Sequence, residues 1–199
     1  YFYSLLPVII TKWILNKKIF IDFEDNYLLR SGFFKTKFTF HIINKICDGA
    51  ILINESMEPI KKNKKTVVVN SFADLSYLDN KLNQSYEEFK MIYAGSLDKI
   101  RGADLIKELS EMLDKKDINY KIYITGKGRL SSIIKKWSAT NEDIIYEGFV
   151  AEDRLKQLLN ECNIGLVLQK PDHPFSLGSF PSKIDLYANY DLPILQLKC

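Results

Sequence analysis

Arginine is scarce in this chain. Of 28 basic residues, 24 are lysine and four are arginine: Arg30, Arg101, Arg129 and Arg154. The guanidinium fork is what reads guanine edges and clamps phosphates with paired bonds. Its scarcity, with a net charge of only +3, argues against a nucleic-acid partner. Cysteine and histidine are equally thin. Cys47, Cys162 and Cys199 form no CxxC pair, and with His41 and His173 they build no zinc site of standard spacing. No metal is therefore expected. An odd thiol count fits reduced cysteines in a cytoplasmic protein, and Cys162 sits in an apolar stretch that favours packing. The chain also lacks a run of the ~20 apolar residues that a spanning helix needs. The longest, YFYSLLPVIITKWIL, is interrupted by Lys12. It reads as a core helix or strand-flanking segment, and its rival is a peripheral membrane contact with Lys12, Lys17 and Lys18 at the headgroups. The run KKNKK (61–65) reads as a solvated turn, with a lipid-headgroup contact as its rival.

What is present is a folding pattern. Hydrophobic residues make up 46% and charged residues 27%, values that exclude disordered and fibrous classes. Eight short apolar runs read as strands: KIFID (18–22), AILIN (50–54), TVVVN (66–70), KMIYA (90–94), KIYIT (121–125), IIYE (144–147), IGLVL (164–168) and PILQL (193–197). Helical periodicity lies between the later ones, at 103–113, 130–137, 152–161 and 181–190. Strands that are almost continuously apolar, alternating with helices, predict an α/β fold with parallel sheets covered on both faces.

Six of the nine glycines lie between Gly95 and Gly165, mostly at strand ends. The polar stretch 71–89 reads as a passage between two domains, 1–88 and 89–199. The first has only about three strands, a thin core by itself, and the last strand has no helix after it. The chain is therefore expected to be a piece of a longer protein.

In an open parallel sheet the ligand sits beyond the carboxyl ends of the strands. After KMIYA comes Gly95-Ser96-Leu97-Asp98-Lys99-Ile100-Arg101-Gly102, then a helix whose N–H groups and two nearby cations suit a phosphate; a generic turn with solvated cations is the alternative. Gly126-Lys127-Gly128 follows KIYIT, without the third glycine of a dinucleotide fingerprint. Gly148-Phe149-Val150 follows IIYE. After IGLVL comes the long loop 169–179, rich in proline and polar groups, the kind that carries function. In Pro181-Ser182-Lys183, Ser179 or Ser182 can cap a helix and Pro181 suits its first position. Lys183 then opposes the helix dipole, a misfit that a bound anion would relieve.

The ordered series MIYAGSLDKIRGADLIKEL, KIYITGKGR, IIYEGFVAEDRLKQLLNECNIGLVL and FPSKIDLYANYDLPIL resembles the carboxyl-terminal half of retaining GT-B glycosyltransferases of the family-four type. IDFEDNY, CDGAILINESM and VVVNSFAD resemble the later part of that family's amino-terminal domain, so the resemblance runs from about Ile19 onward. It implies two Rossmann-like domains, the first incomplete. It implies a donor diphosphate held by Gly95, Ser96, Arg101 and Lys183, with Gly126, Lys127, Gly148, Phe149, Val150 and Asp185 framing the nucleotide. His173 and Asp25 become candidate sugar or acceptor contacts, and no catalytic residue is assigned. The family's paired glutamates fall on Gly178 and Leu186, and Asp185 is one residue, ~100° of helix, from the second.

The implied activity is hexosyl transfer from a nucleoside diphosphate sugar to a hydroxyl on a sugar or lipid-linked acceptor, without metal or cofactor, in bacterial surface polysaccharide synthesis. The implied place is the cytoplasm, at the inner face of the plasma membrane where it touches one, and this chain alone is expected to be inactive. Two rivals are a non-catalytic binding or scaffold subunit of the same fold, and a nucleotide-sugar epimerase.

Overall fold

Each of the eight apolar runs contributes a strand, and every strand pairing among the described residues is parallel. The computed structural model describes residues 2–23, 34–53, 65–69, 87–171, 173, 176 and 181–197. The chain divides into two units: Tyr1–Ser71 with Asp172–Phe180, and Phe72–Pro171 with Pro181–Cys199.

The first unit contains α1 (Phe2–Trp13), β1 (Phe20–Phe23), α2 (Phe34–Ile46), β2 (Gly49–Leu52) and β3 (Lys65–Val68). Its sheet order is β1-β2-β3. Period-two alternation sends Phe23, Ala50 and Leu52 into a small core, where Ile43 of α2 packs on them, and leaves Ile51 exposed. Lys12 at the end of α1 is bound to Asp48 at 2.5 Å, and the Asp48 carboxylate also accepts the Ile19 N–H at 2.8 Å. One of the three lysines considered for a headgroup contact is thus engaged within the unit. Residues 34–46 carried no expected helix. Their threonines, isoleucines and phenylalanines are mediocre helix formers, and packing of Ile43 on the sheet outweighs that preference.

The second unit contains β4 (Phe89–Ala94), α3 (Leu105–Asp114), β5 (Tyr120–Thr125), α4 (Ser131–Thr140), β6 (Ile144–Gly148), α5 (Glu152–Glu161), β7 (Ile164–Val167), α6 (Lys183–Ala188) and β8 (Ile194–Gln196). The sheet order is β6-β5-β4-β7-β8. From β4 the chain steps outward to β5 and β6, then returns to the other side of β4 for β7 and β8. Crossovers keep one hand, so reversing the direction of travel moves the helices to the opposite face. Met91 and Tyr93 of β4 accordingly pack with Ile106 of α3 and Ile134 of α4. Ile92 and Ala94 pack with Leu158 and Leu159 of α5 and Tyr187 of α6. Burial on both faces is why β4 has an apolar run without alternation.

β4 pairs with β5 along its whole length, from Phe89↔Tyr120 to Ala94↔Thr125. It pairs with β7 only at Met91↔Ile164 and Ile92↔Gly165, after which the two strands part. Gly165 sits where they part because the Tyr187 ring occupies its side-chain space: a Cβ there would lie 2.4 Å from ring carbons. Gly165→Ala is expected to destabilise the chain by about 1–3 kcal/mol, the range for overpacked interiors, read as a lower urea midpoint at unchanged slope. An unchanged midpoint would show that the ring moves aside freely.

Candidate functional site

A cleft of about 570 Å³ opens in the second unit where β4 and β7 part. Its walls are strand ends and the turns after them. Ala94 ends β4 and Gly95, Ser96 and Arg101 follow it, Thr125 ends β5 and Gly126 and Lys127 follow it, and Phe149 and Val150 follow β6. Glu152 and Leu155 come from α5, and Pro181, Ser182, Lys183 and Leu186 from the start of α6. The turns are tied to one another through the backbone. The Gly95 N–H donates to Thr125 O at 2.9 Å, the Gly126 N–H to Gly148 O at 2.7 Å, and the Leu97 N–H to Lys127 O at 3.1 Å. The cleft's floor is therefore an extension of the sheet, fixed before any ligand arrives.

Lys183 lies across this floor. Its Nζ stands 3.1 Å from the centroid of the Tyr93 ring, and its Cε occupies the space beside Gly95, where a Cβ would sit 2.8 Å away. The Tyr93 hydroxyl lies 2.9 Å from Ser96 O and 3.0 Å from Arg101 O, so its single proton holds the turn closed. Burial, and then the neighbouring Arg101 charge, hold the Lys183 ammonium well below the ordinary lysine range. Arg101 donates to Gln169 Oε1 at 2.9 Å, and Lys170 pairs with Asp104 at 2.7 Å. These two contacts join the turn after β4 to the segment after β7. Among the described lining residues, three cations (Arg101, Lys127 and Lys183) meet one carboxylate, Glu152, whose ionised form is held by Lys156 at 2.8 Å. An electropositive cleft with a partly desolvated lysine is suited to an anion that supplies the missing counter-charge.

Of the residues singled out by sequence, the cleft brings together Gly95, Ser96, Arg101, Gly126, Lys127, Phe149, Val150 and Lys183. Gly148 stands just outside the lining and accepts the Gly126 N–H. Asp185 does not line the cleft, whereas Leu186 does. His173 groups with the other unit, and Asp25 lies outside the described residues. His41 is exposed on α2. Ser182 takes the cap position of α6 but makes no side-chain capping bond: its own φ of −54° and ψ of −14° are already helical, so its side chain is turned away from capping geometry. Ser179 lies outside the described residues. Sequence reasoning missed Tyr93 and Leu155, and reached Gln169 only as the start of the loop 169–179. Tyr93 carried a faint signal, a hydroxyl inside an otherwise apolar strand that must find a partner. Phe149 is 75% exposed and carries Lys127 Nζ 5.0 Å from its ring centroid. Among the described residues no cluster of histidine, cysteine and carboxylate side chains converges as a metal site, and no helix is long and apolar enough to cross a membrane.

Neither a protein-family model nor a curated protein matches the sequence. Solved structures do match the fold. Alr3699/HepE of Anabaena, crystallised with UDP and glucose, superposes on 99% of this chain with a TM-score of 0.68 at 15% identity. TarM covers 91% of the chain with a TM-score of 0.65 at 17% identity. The pneumococcal O-GlcNAc transferase GtfA, crystallised with UDP and GlcNAc, covers 96% with a TM-score of 0.61 at 14% identity. The chain spans 57% of HepE, 36% of TarM and 39% of GtfA, less than two thirds of each. Its fold is that of the GT-B glycosyltransferases, with parallel-sheet α/β units.

The depressed Lys183 ammonium has a measurable consequence. Between its lowered folded value and the 10.5 of a free lysine, the unfolded chain holds more protons than the folded one, so Lys183 makes stability rise with pH across that window. Lys183→Met removes this slope. In urea unfolding at a series of pH values rising toward 10.5, the difference between parent and variant is expected to shift in the parent's favour. Parallel pH profiles would mean that Lys183 titrates as an ordinary surface lysine.

Proposed function

We propose that this chain carries the donor site of a retaining glycosyltransferase that moves a hexose from a nucleoside diphosphate sugar to a hydroxyl acceptor. The observation that carries the proposal is Lys183, a partly desolvated cation laid over Tyr93 beside Gly95, with Arg101 as its neighbour, at the carboxyl end of a parallel sheet where two strands part. A diphosphate placed there meets two positive charges. As the sugar–phosphate bond breaks, negative charge grows on the phosphate oxygens, and fixed cations in a partly water-excluded cleft stabilise that growth more than the ground state. The proposed reaction needs no metal or cofactor for this role. Phe149, exposed at the mouth with Lys127 on its ring, offers a flat apolar surface for the base.

The acceptor in this proposal is a sugar or a lipid-linked sugar, and the setting is bacterial surface polysaccharide synthesis at the cytoplasmic side of the plasma membrane. Leu6, Ile10, Trp13 and Ile14 are exposed at helical three- and four-residue steps at the start of the first unit, with Lys17 and Lys18 beyond them. That combination supports a peripheral contact with anionic lipid. One observation favours a second reading, a non-catalytic binding subunit of the same fold: the lining residue Leu186 cannot accept a hydrogen bond from a ribose hydroxyl.

A thermal-shift panel of UDP, GDP, ADP and dTDP against the chain tests the proposal directly, because a ligand bound only by the folded state raises its stability. At least one is expected to raise the midpoint, and no shift with any of them rejects the donor site. Lys183→Ala is expected to weaken binding of that diphosphate by about 1.5–3 kcal/mol, the range for a hydrogen bond to a charged group, and to spare the free nucleoside. Equal loss of both ligands would mean a disrupted helix.

The ribose wall gives a separate test. Asp185→Asn is expected to be near neutral, since Asp185 does not line the cleft. Leu186→Glu is expected to strengthen binding of a ribonucleotide, with a smaller gain for its 2′,3′-dideoxy analogue, because a carboxylate accepts from both vicinal hydroxyls. Equal gains for the two nucleotides would show that the ribose lies elsewhere. Donor hydrolysis by the full-length protein separates an enzyme from a binding subunit.

A further inference from the structure

The parting of β4 and β7 leaves backbone polar groups that a sheet would otherwise pair, and such groups rarely stay unpaired when buried. At the near end, where the strands are still together, Asn163 extends the ladder. Its backbone N–H donates to Lys90 O at 2.7 Å and its Oδ1 accepts the Lys90 N–H at 2.8 Å. At the far end the closing group is Tyr187, fully buried on α6. Its hydroxyl accepts the Ala94 N–H at 3.0 Å and donates to Ile92 O at 3.0 Å, with Leu166 O of β7 at 3.4 Å. Burial, foremost, pushes that hydroxyl above the ordinary tyrosine range, so it keeps the proton it donates.

Two geometric facts make this hydroxyl more than a core contact. Ala94 is the residue before Gly95, against which the Lys183 stem lies. Tyr187 is four residues after Lys183 on α6, so both side chains leave the same face of one helical turn. The helix that supplies the lysine therefore grips the strand end that the lysine must lie against. We propose that Tyr187 is a positioning residue for the anion site: through its hydroxyl bridge to Ala94 and Ile92 it sets where Lys183 stands relative to the Gly95 turn. This rests on the donor-site reading above.

The test is a binding cycle with Tyr187→Phe, which keeps the ring against Gly165 and removes only the hydroxyl. The probes are the nucleoside diphosphate that gives the largest shift in the panel, and its free nucleoside. Tyr187→Phe is expected to weaken the diphosphate about five- to tenfold, the scale of one neutral hydrogen bond, and to leave the nucleoside unchanged. Added to Lys183→Ala, it is expected to cost little more, because both changes act on one interaction. A residue with a merely structural role would lower the unfolding midpoint, weaken both probes alike or neither, and add its full effect to that of Lys183→Ala. Any of these binding outcomes overturns the inference while leaving the donor site intact. Failure of the parent chain to bind any diphosphate removes both. Should Tyr187→Phe fail to fold, amide exchange of the parent decides: the diphosphate is expected to slow exchange at Ala94 and Gly95 together, and an Ala94 amide indifferent to it overturns the inference.

Discussion

The second unit depends on a break in hydrogen bonding between β4 and β7. Had the two strands stayed paired to their ends, Ala94 and Val167 would bracket a closed sheet edge and no cleft would exist. The break follows from topology. Chain travel reverses at β4, so the turns after β4 and β7 lead to helices on opposite faces and pull the strand ends apart. Its cost is strand-end polar groups of β4 without β7 partners in a buried place, and the Tyr187 hydroxyl takes up those of Ala94 and Ile92. Gly165 is the complement of that solution, since only a residue without a side chain leaves room for the Tyr187 ring.

The cleft so made holds a cation in an unfavourable state. Lys183 loses water on approaching Tyr93 and gains an aromatic face in return, a contact worth about 0.5–2 kcal/mol, while Arg101 repels it. The balance leaves an ammonium whose proton is easier to remove than usual. A site of this kind is poised rather than satisfied. On the donor-site reading an anion gains from both charges, and the desolvation of Lys183 has already been met by folding. Preorganisation of this sort favours the charge that develops on a leaving group over charge spread through solvent.

Much of this was legible in sequence because the strands are buried on both faces and so stand out as apolar runs. Lys183 was legible for the opposite reason, as a cation in the first turn of a helix where the dipole disfavours it. Three things were hidden. The Tyr187 bridge joins residues more than ninety positions apart, and no local pattern encodes a bond of that span. Helix α2 was masked by residues that prefer strands. Helix phase was the third: Asp185 and Leu186 differ by ~100° of rotation, and only the position of α6 against β7 decides that the leucine lines the cleft.

That phase shapes the chemistry the cleft can recognise. The side around β4 is polar and positive, with Gly95, Ser96, Arg101 and Lys183. The side toward β6 and α5 is mostly apolar, with Phe149, Val150 and Leu155, and Leu186 adds to it from α6. Among the described lining residues Glu152 alone is acidic, and Lys156 pairs with it. The lining suits a ligand that is anionic at one end and flat and apolar at the other. On the donor-site reading the diphosphate meets the first demand and a base the second. The ribose between them meets leucine where a carboxylate would serve it better, so the diphosphate must supply most of the recognition. Affinity in this cleft is then set chiefly by how firmly Lys183 is held against the Gly95 turn.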